Sequence, residues 1–141
     1  MAYMFAGCKN LEKIIFGNTY KTLLVTSIKF MFNECNNLIS LDLSCFDTSK
    51  VVSMENLFEG CSTIESLDLS NFNTQLVTYM SKIFRNCKSL TYVDVSSFDT
   101  SKVTSFDSFF ESCESLSSIN ISNFNTESAV RMENFFINVK N

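Results

Sequence analysis

A cysteine recurs at an almost constant interval along this chain and reveals an internal repeat. Successive members of the series are 27, 26, 26 and 26 residues apart, at Cys8, Cys35, Cys61, Cys87 and Cys113. Self-similarity with a period of about 20 to 50 residues is the sequence signature of an array in which each unit packs against its neighbours. We therefore predict a single solenoid over residues 1–141, built from about five 26-residue units.

Other residue types recur in register with the cysteines. A phenylalanine stands three residues before each of them, at Phe5, Phe32, Phe58, Phe84 and Phe110. Each unit then carries the apolar pattern Leu-x-x-Leu-x-Leu or a close variant, and a second phenylalanine column follows it at Phe46, Phe72, Phe98 and Phe124. Because a ring repeated at one position of a stack meets its counterpart in the next unit, we expect this second column to form a continuous buried spine.

Each unit contains two different hydrophobic periods. From Leu41 to Ser44 apolar and polar residues alternate, which is typical of a half-buried β-strand. From 51 to 61 apolar residues recur mostly at every third position, which indicates a short helix or tight helical turns. Between the two segments, Asp47 and Thr48 suit a helix N-cap or an Asx turn. Each unit is therefore predicted to be a strand, a turn and a helix-like return.

The repeated string from Leu38 to Val51, followed by the segment from Met54 to Cys61, resembles the repeat of the BspA-like leucine-rich-repeat surface proteins, also described as the mycoplasma-lipoprotein-type repeat. Four near-intact copies carry the resemblance over essentially the whole chain. It implies an α/β leucine-rich-repeat solenoid with a parallel β-sheet on one face and short helices or helical turns on the other. It also implies a role in surface adhesion, which is ascribed to several members of that family. Phe46 stands where an asparagine usually bonds along the turn, so the turn must find its hydrogen bonds elsewhere.

Composition argues against several function classes. Net charge is −4 and the eleven Lys and Arg residues are scattered, so no basic stripe exists to bind nucleic acid. No apolar run approaches the roughly 18 residues of a membrane helix, so no membrane span is expected in this segment. Histidine is absent, which removes Ser-His and Cys-His nucleophile activation and the commonest metal ligand. We therefore predict a protein that is not an enzyme and holds no cofactor or metal.

The repeated cysteines occupy an apolar position of the unit, and Val139 stands where the sixth is due. A free cysteine behaves as a small buried hydrophobe, so we expect buried thiols rather than disulfides or zinc ligands. Cys45 is different because it replaces the Asn or Ser of the other units. We expect Cys45 to be the most reactive thiol, and Cys8 and Cys113 to be intermediate.

The outward face of the predicted sheet is the candidate binding surface. If Leu41 and Leu43 point inward, alternation turns the polar residues around them outward. The candidate ligand-binding residues are Ser40, Asp42, Ser66, Asp68, Tyr92, Asp94, Ser118 and Asn120. The alternative is that these short polar residues only keep the face soluble. Parallel strands lie about 4.8 Å apart, so the carboxylates should repel one another, and we expect a raised pKa for Asp68.

Two smaller features complete the pattern. Glu59, Arg85 and Glu111 occupy one column with alternating charge, which predicts ion pairs between neighbouring units. Asn120-Ile121-Ser122 is a glycosylation sequon, although the repeat pattern places it on a strand.

The sequence thus predicts a non-catalytic binding or adhesion module of a cell-surface protein, with a protein or glycan ligand. The alternative is a structural scaffold that self-associates end to end through open ends of the array into a rod or filament. Because the chain begins and ends within a unit, we also expect it to be a fragment of a longer array.

Overall fold

A computed structural model describes residues 1–17 and 19–139 of the chain. Its regular secondary structure within those residues consists of four two-residue strands, β1 (Lys13–Ile14), β2 (Ser40–Leu41), β3 (Ser66–Leu67) and β4 (Tyr92–Val93). The strands form two parallel two-stranded sheets, β1 with β2 and β3 with β4. Each pairing joins equivalent positions of consecutive units, so the units stack in register.

The predicted α/β leucine-rich-repeat solenoid is wrong. No helix forms in the described part of the chain, and the strands are too few and too short for a continuous sheet. The segment expected to be helical forms consecutive tight turns instead. Its apolar side chains are nevertheless buried as the spacing required, with no more than 1% of their surface exposed at Val51, Met54, Leu57, Phe58 and Cys61.

Left-handed backbone conformations explain why no helix forms. Each turn segment contains two residues with positive φ, four positions apart, as at Asn56 (φ 57°) and Gly60 (φ 78°). Because every residue of a right-handed α-helix has φ near about −63°, an α-helix cannot run through positions whose φ is positive. Gly60 suits its position for a second reason, since a Cβ there would lie 2.8 Å from Glu34 Oε1.

The left-handed residues redirect hydrogen bonds from the turn to the next unit. Along this segment every second backbone N–H donates to a carbonyl of the following unit, as from Asn56 to Ser81 (3.0 Å) and from Phe58 to Ile83 (3.0 Å). The N–H groups between them close turns within the unit, as from Leu57 to Met54 (3.2 Å). Parallel single-residue β-bridges continue this ladder through five units, at Ser27, Ser53, Tyr79, Ser105 and Arg131.

A buried threonine joins each unit to the next. The Thr48 hydroxyl donates to the Asn73 carbonyl (2.9 Å) and accepts from the Asn73 N–H (2.7 Å), while Thr48 itself is only 1% exposed. A hydroxyl at the same position of other units donates to the next unit in the same way, at Thr22, Thr74 and Thr100. These hydroxyls form a threonine ladder along the stack of units. The predicted Asx turn is confirmed, since Asp47 Oδ1 accepts the Ser49 N–H at 2.8 Å.

The two phenylalanine columns behave differently. Burial of Phe46, Phe72 and Phe98 is confirmed, whereas Phe124 is only half-buried and no two rings of this column stack on each other in the described residues. The column three residues before the cysteines stacks instead, with ring centroids 5.3–5.8 Å apart, through Phe5, Phe32, Phe58, Phe84, Phe110 and Phe136. The backbone N–H groups of its first five members donate to the next unit, which holds consecutive rings in register. Those of Phe46 and Phe72 close turns within their own units.

The cysteine ladder is a set of buried free thiols at Cys35, Cys61, Cys87 and Cys113, as expected for the first three, whereas the prediction of intermediate exposure for Cys113 is wrong. Each Sγ donates to a phenylalanine carbonyl of the preceding unit at 3.1–3.2 Å. Burial raises the pKa of the Cys35 thiol to about 11 and that of Cys113 to about 12. Cys45 was expected to be a more reactive thiol than Cys8. This order is wrong, because Cys8 is exposed whereas Cys45 is half-buried.

Candidate binding face

The eight residues singled out from the sequence are all exposed. They form the Asp/Ser face, which comprises Ser40, Asp42, Ser66, Asp68, Tyr92, Asp94, Ser118 and Asn120. The predicted alternation is present, because Leu43, Leu69 and Val95 are at most 2% exposed. The face is therefore positioned by a row of inward-pointing apolar side chains one residue away.

Short parallel strands set the spacing of this face. The first column of the face lies in β2, β3 and β4, and the register places Ser66 directly beside Tyr92. Neighbouring parallel strands are about 4.8 Å apart, so equivalent side chains recur at about that interval. The fifth unit departs from the pattern, since Ser118 and Asn120 lie in chain that is outside any strand.

Each acidic side chain of the face is fixed by its own backbone. Asp42 Oδ1 accepts the N–H of Ser44 at 2.9 Å, and Asp68 Oδ1 accepts that of Ser70 at 3.0 Å. Equivalent Asx turns form at Asp94 (2.9 Å) and at Asn120 (3.0 Å). One oxygen of each carboxylate is thus held against the chain, and the side chain enters solvent in a defined orientation.

The Asx turns lower the pKa values of these carboxyl groups, whereas repulsion between neighbouring units was expected to raise that of Asp68. Hydrogen bonds from Ser70 hold the pKa of Asp68 below its usual value, and they outweigh the repulsion from Asp42. The pKa values of Asp42 and Asp94 are lowered in the same way by Ser44 and Ser96. The prediction of a raised pKa for Asp68 is wrong, because two local hydrogen bonds act at contact distance while the neighbouring charge acts through solvent. The row is fully ionised at neutral pH.

Two open grooves border the face. The smaller, of about 110 Å³, runs between the second and third units and is lined by Asp42, Ser44, Asp68, Ser70 and Asn71 among others. The larger, of about 400 Å³, is lined by Lys13, Ile14, Ile15, Phe16, Ser40, Leu41 and Asp42.

The larger groove adds two residues that the sequence reasoning missed. Lys13 occupies the first unit's position in the column of Ser40, and Ile15 occupies that of Asp42. Ile15 is 81% exposed, so an apolar side chain and an ammonium group stand beside the acidic row. Aligning the first unit with the others could have found both, because the register is readable from the apolar columns alone.

A second charged surface lies on the turn segments. Arg85 donates to Glu59 (2.9 Å) and to Glu111 (3.1 Å), so the predicted ion pairs between units are confirmed. Arg131 pairs with Asp107 at 2.6 Å. Among residues 1–17 and 19–139, no cluster of three or more acidic or cysteine side chains is arranged to hold a metal ion. The same residues include no helix with the length and apolarity needed to cross a bilayer.

Stacked 26-residue units joined by regular hydrogen bonds between them make this a repeat protein. The chain belongs to the DUF285 family, described as Mycoplasma protein of unknown function, whose model matches residues 1–93 and again residues 53–141. Comparison with curated proteins and with solved structures finds no match for the chain.

Proposed function

We propose that this protein is a non-catalytic binding module that contacts a protein or glycan partner through the Asp/Ser face. The observation that carries the proposal is the fixed, periodic presentation of ionised carboxylates and hydroxyls on exposed chain. A partner with repeating amine, guanidinium or hydroxyl groups can meet one such group per unit.

The Asx turns support the proposal by reducing the cost of binding. A carboxylate held by its backbone loses little rotamer freedom when a ligand arrives, and such preorganisation raises affinity. In Asp68, Oδ1 accepts the Ser70 N–H, which leaves Oδ2 for a ligand. Exposed Tyr92 and Ile15, at 53% and 81%, add apolar contact area beside the polar row.

A cell-surface location is part of the proposal, supported by the resemblance of the repeat to that of the BspA-like surface proteins. Surface biotinylation of intact source cells, followed by detection with an antibody against this chain, tests the location directly. An intracellular control protein must remain unlabelled in the same cells. Recovery only in the unlabelled fraction would refute the surface assignment.

The binding test compares two double variants of equal charge. Asp68→Asn with Asp94→Asn removes two charges from the face, and Asn120 shows that asparagine makes the same turn. Asp47→Asn with Asp99→Asn removes two charges five residues further along, where Asn73 and Asn125 make the equivalent turn. Both variants should therefore remain folded while differing only in where the charge is lost.

The two double variants and the parent protein are produced in bacterial cytosol. Each is then applied to a glycan array and to an array of extracellular proteins. A partner of the face should bind the first variant about tenfold to a hundredfold more weakly, since charge-assisted hydrogen bonds contribute about 1.5–3 kcal/mol each. It should bind the second variant like the parent. Equal loss in both variants, or no partner on either array, would contradict the proposal, and a change in oligomeric state would favour the scaffold function instead.

A further inference from the structure

The chain contains one Asn-x-Ser/Thr sequon, Asn120-Ile121-Ser122. This tripeptide is the acceptor motif for N-linked glycans, and its use requires exposed and accessible chain. The repeat pattern alone placed it on a strand, where the backbone would be paired and less accessible. In the structure this tripeptide lies outside any strand, so pairing of the strand backbone does not restrict access to it.

Asn120 and its surroundings lie outside regular structure. The last strand in the described chain ends at Val93, and the residues from 117 to 121 belong to no strand. Asn120 and Ser122 are both exposed. The equivalent residues of the second, third and fourth units directly follow the paired strands β2, β3 and β4, so the fifth unit is the most open of these four.

The side-chain geometry at Asn120 directs its nitrogen outward. Asn120 Oδ1 accepts the N–H of Ser122 at 3.0 Å, which turns the carbonyl toward the chain. Within the described residues Nδ2 makes no hydrogen bond. The amide nitrogen that would carry a sugar is therefore free, and the serine of the motif is held next to it.

We propose that Asn120 is an N-glycan acceptor when the chain is translocated into a compartment containing an oligosaccharyltransferase. The donor is an oligosaccharide linked to a lipid diphosphate. A bond forms between Nδ2 and C1 of the first sugar, the bond between C1 and the diphosphate oxygen breaks, the lipid diphosphate leaves, and a base takes one Nδ2 proton. The glycan would stand at the fifth-unit end of the Asp/Ser face and leave the face open in the second, third and fourth units.

The repeat provides matched variants. Asn120→Asp installs the residue of the other three units and keeps the Asx turn, but it removes the acceptor nitrogen. Asp94→Asn creates the same motif one unit earlier, because Val95 and Ser96 follow it. Ser122→Ala removes only the hydroxyl that the transferase requires.

Each form is secreted from a eukaryotic cell line with a cleavable leader and a flexible C-terminal tag that carries a reference sequon. Molecules glycosylated on the tag have met the transferase, and only these are scored, by peptide mapping before and after treatment with a peptide N-glycosidase. The parent should carry one glycan on the chain, and both Asn120→Asp and Ser122→Ala none. Asp94→Asn should add a second glycan at lower occupancy, because position 94 directly follows β4. Unmodified Asn120 in tag-glycosylated parent protein would overturn the proposal. So would occupancy created by Asp94→Asn without occupancy at Asn120.

Discussion

The threonine ladder predicts a specific loss of stability when one of its hydroxyls is removed. Thr48→Val keeps the shape of the side chain but deletes both hydrogen bonds to Asn73, at 2.9 and 2.7 Å. Two net hydrogen bonds are worth about 2 kcal/mol together, and an unsatisfied buried group adds about 1 kcal/mol. We therefore expect Thr48→Val to lower the free energy of unfolding by about 2–3 kcal/mol.

Two other variants separate the hydroxyl from the rest of the side chain. Thr48→Ser keeps the hydrogen bonds and loses one buried methyl group, which should cost about 1 kcal/mol. Thr126 stands at the equivalent position of a later unit but is exposed, so Thr126→Val should change stability by less than about 0.5 kcal/mol.

Urea denaturation followed by circular dichroism gives the three unfolding free energies. Repeat arrays can lose cooperativity, so a local measurement is needed beside it. Native-state hydrogen exchange of the Asn73 amide provides one, because its N–H bonds directly to the Thr48 hydroxyl. Exchange should accelerate in Thr48→Val but not in Thr48→Ser. If Thr48→Ser is as destabilising as Thr48→Val, burial of the methyl group and not the hydrogen bonds joins the units, and the reasoning is refuted.

Three further predictions follow from the core and the face. Phe72→Ala should lower the free energy of unfolding by about 3–5 kcal/mol, because the ring is 4% exposed, and a loss below about 1 kcal/mol in the same urea titration would contradict its burial. With a soluble maleimide under native conditions, Cys8 should react first and Cys45 second, while labelling before unfolding should be absent at Cys35, Cys61, Cys87 and Cys113. The Asx-turn carboxylates have lowered pKa values in the folded state, so they stabilise the fold at pH values above their ordinary pKa. This stabilisation is lost as the pH falls from the ordinary pKa through the lowered pKa of the folded state. Melting temperature should therefore fall in that acid range, and less so when asparagine replaces Asp42, Asp68 and Asp94; an unchanged acid response in this triple variant would show that other groups control it.

The sequence alone determined the repeat, its period and most of the buried columns. These follow from residue type at fixed spacing, because apolar side chains must leave water whatever the backbone does. The outward position of Asp42, the buried thiol of Cys61 and the Asx turn at Asp47 were all readable in this way. So was the candidate face, apart from Lys13 and Ile15, because the first unit carries neither the serine nor the aspartate of the later units at these positions.

Only the tertiary structure decided the backbone path and the electrostatics. Phe30, Lys82 and Ser108 adopt left-handed conformations that nothing in their residue type indicates. Without that information, apolar residues that recur at every third position predict a helix. The next unit stabilises these conformations, because the N–H group of each of the three residues donates to a carbonyl of that unit. The accepting carbonyl lies 25 residues away along the chain. The same holds for Asp68, whose pKa depends on a bond to Ser70 formed only once the turn exists. Burial is a property of a residue and its spacing, whereas a hydrogen-bond partner is a property of the assembled stack.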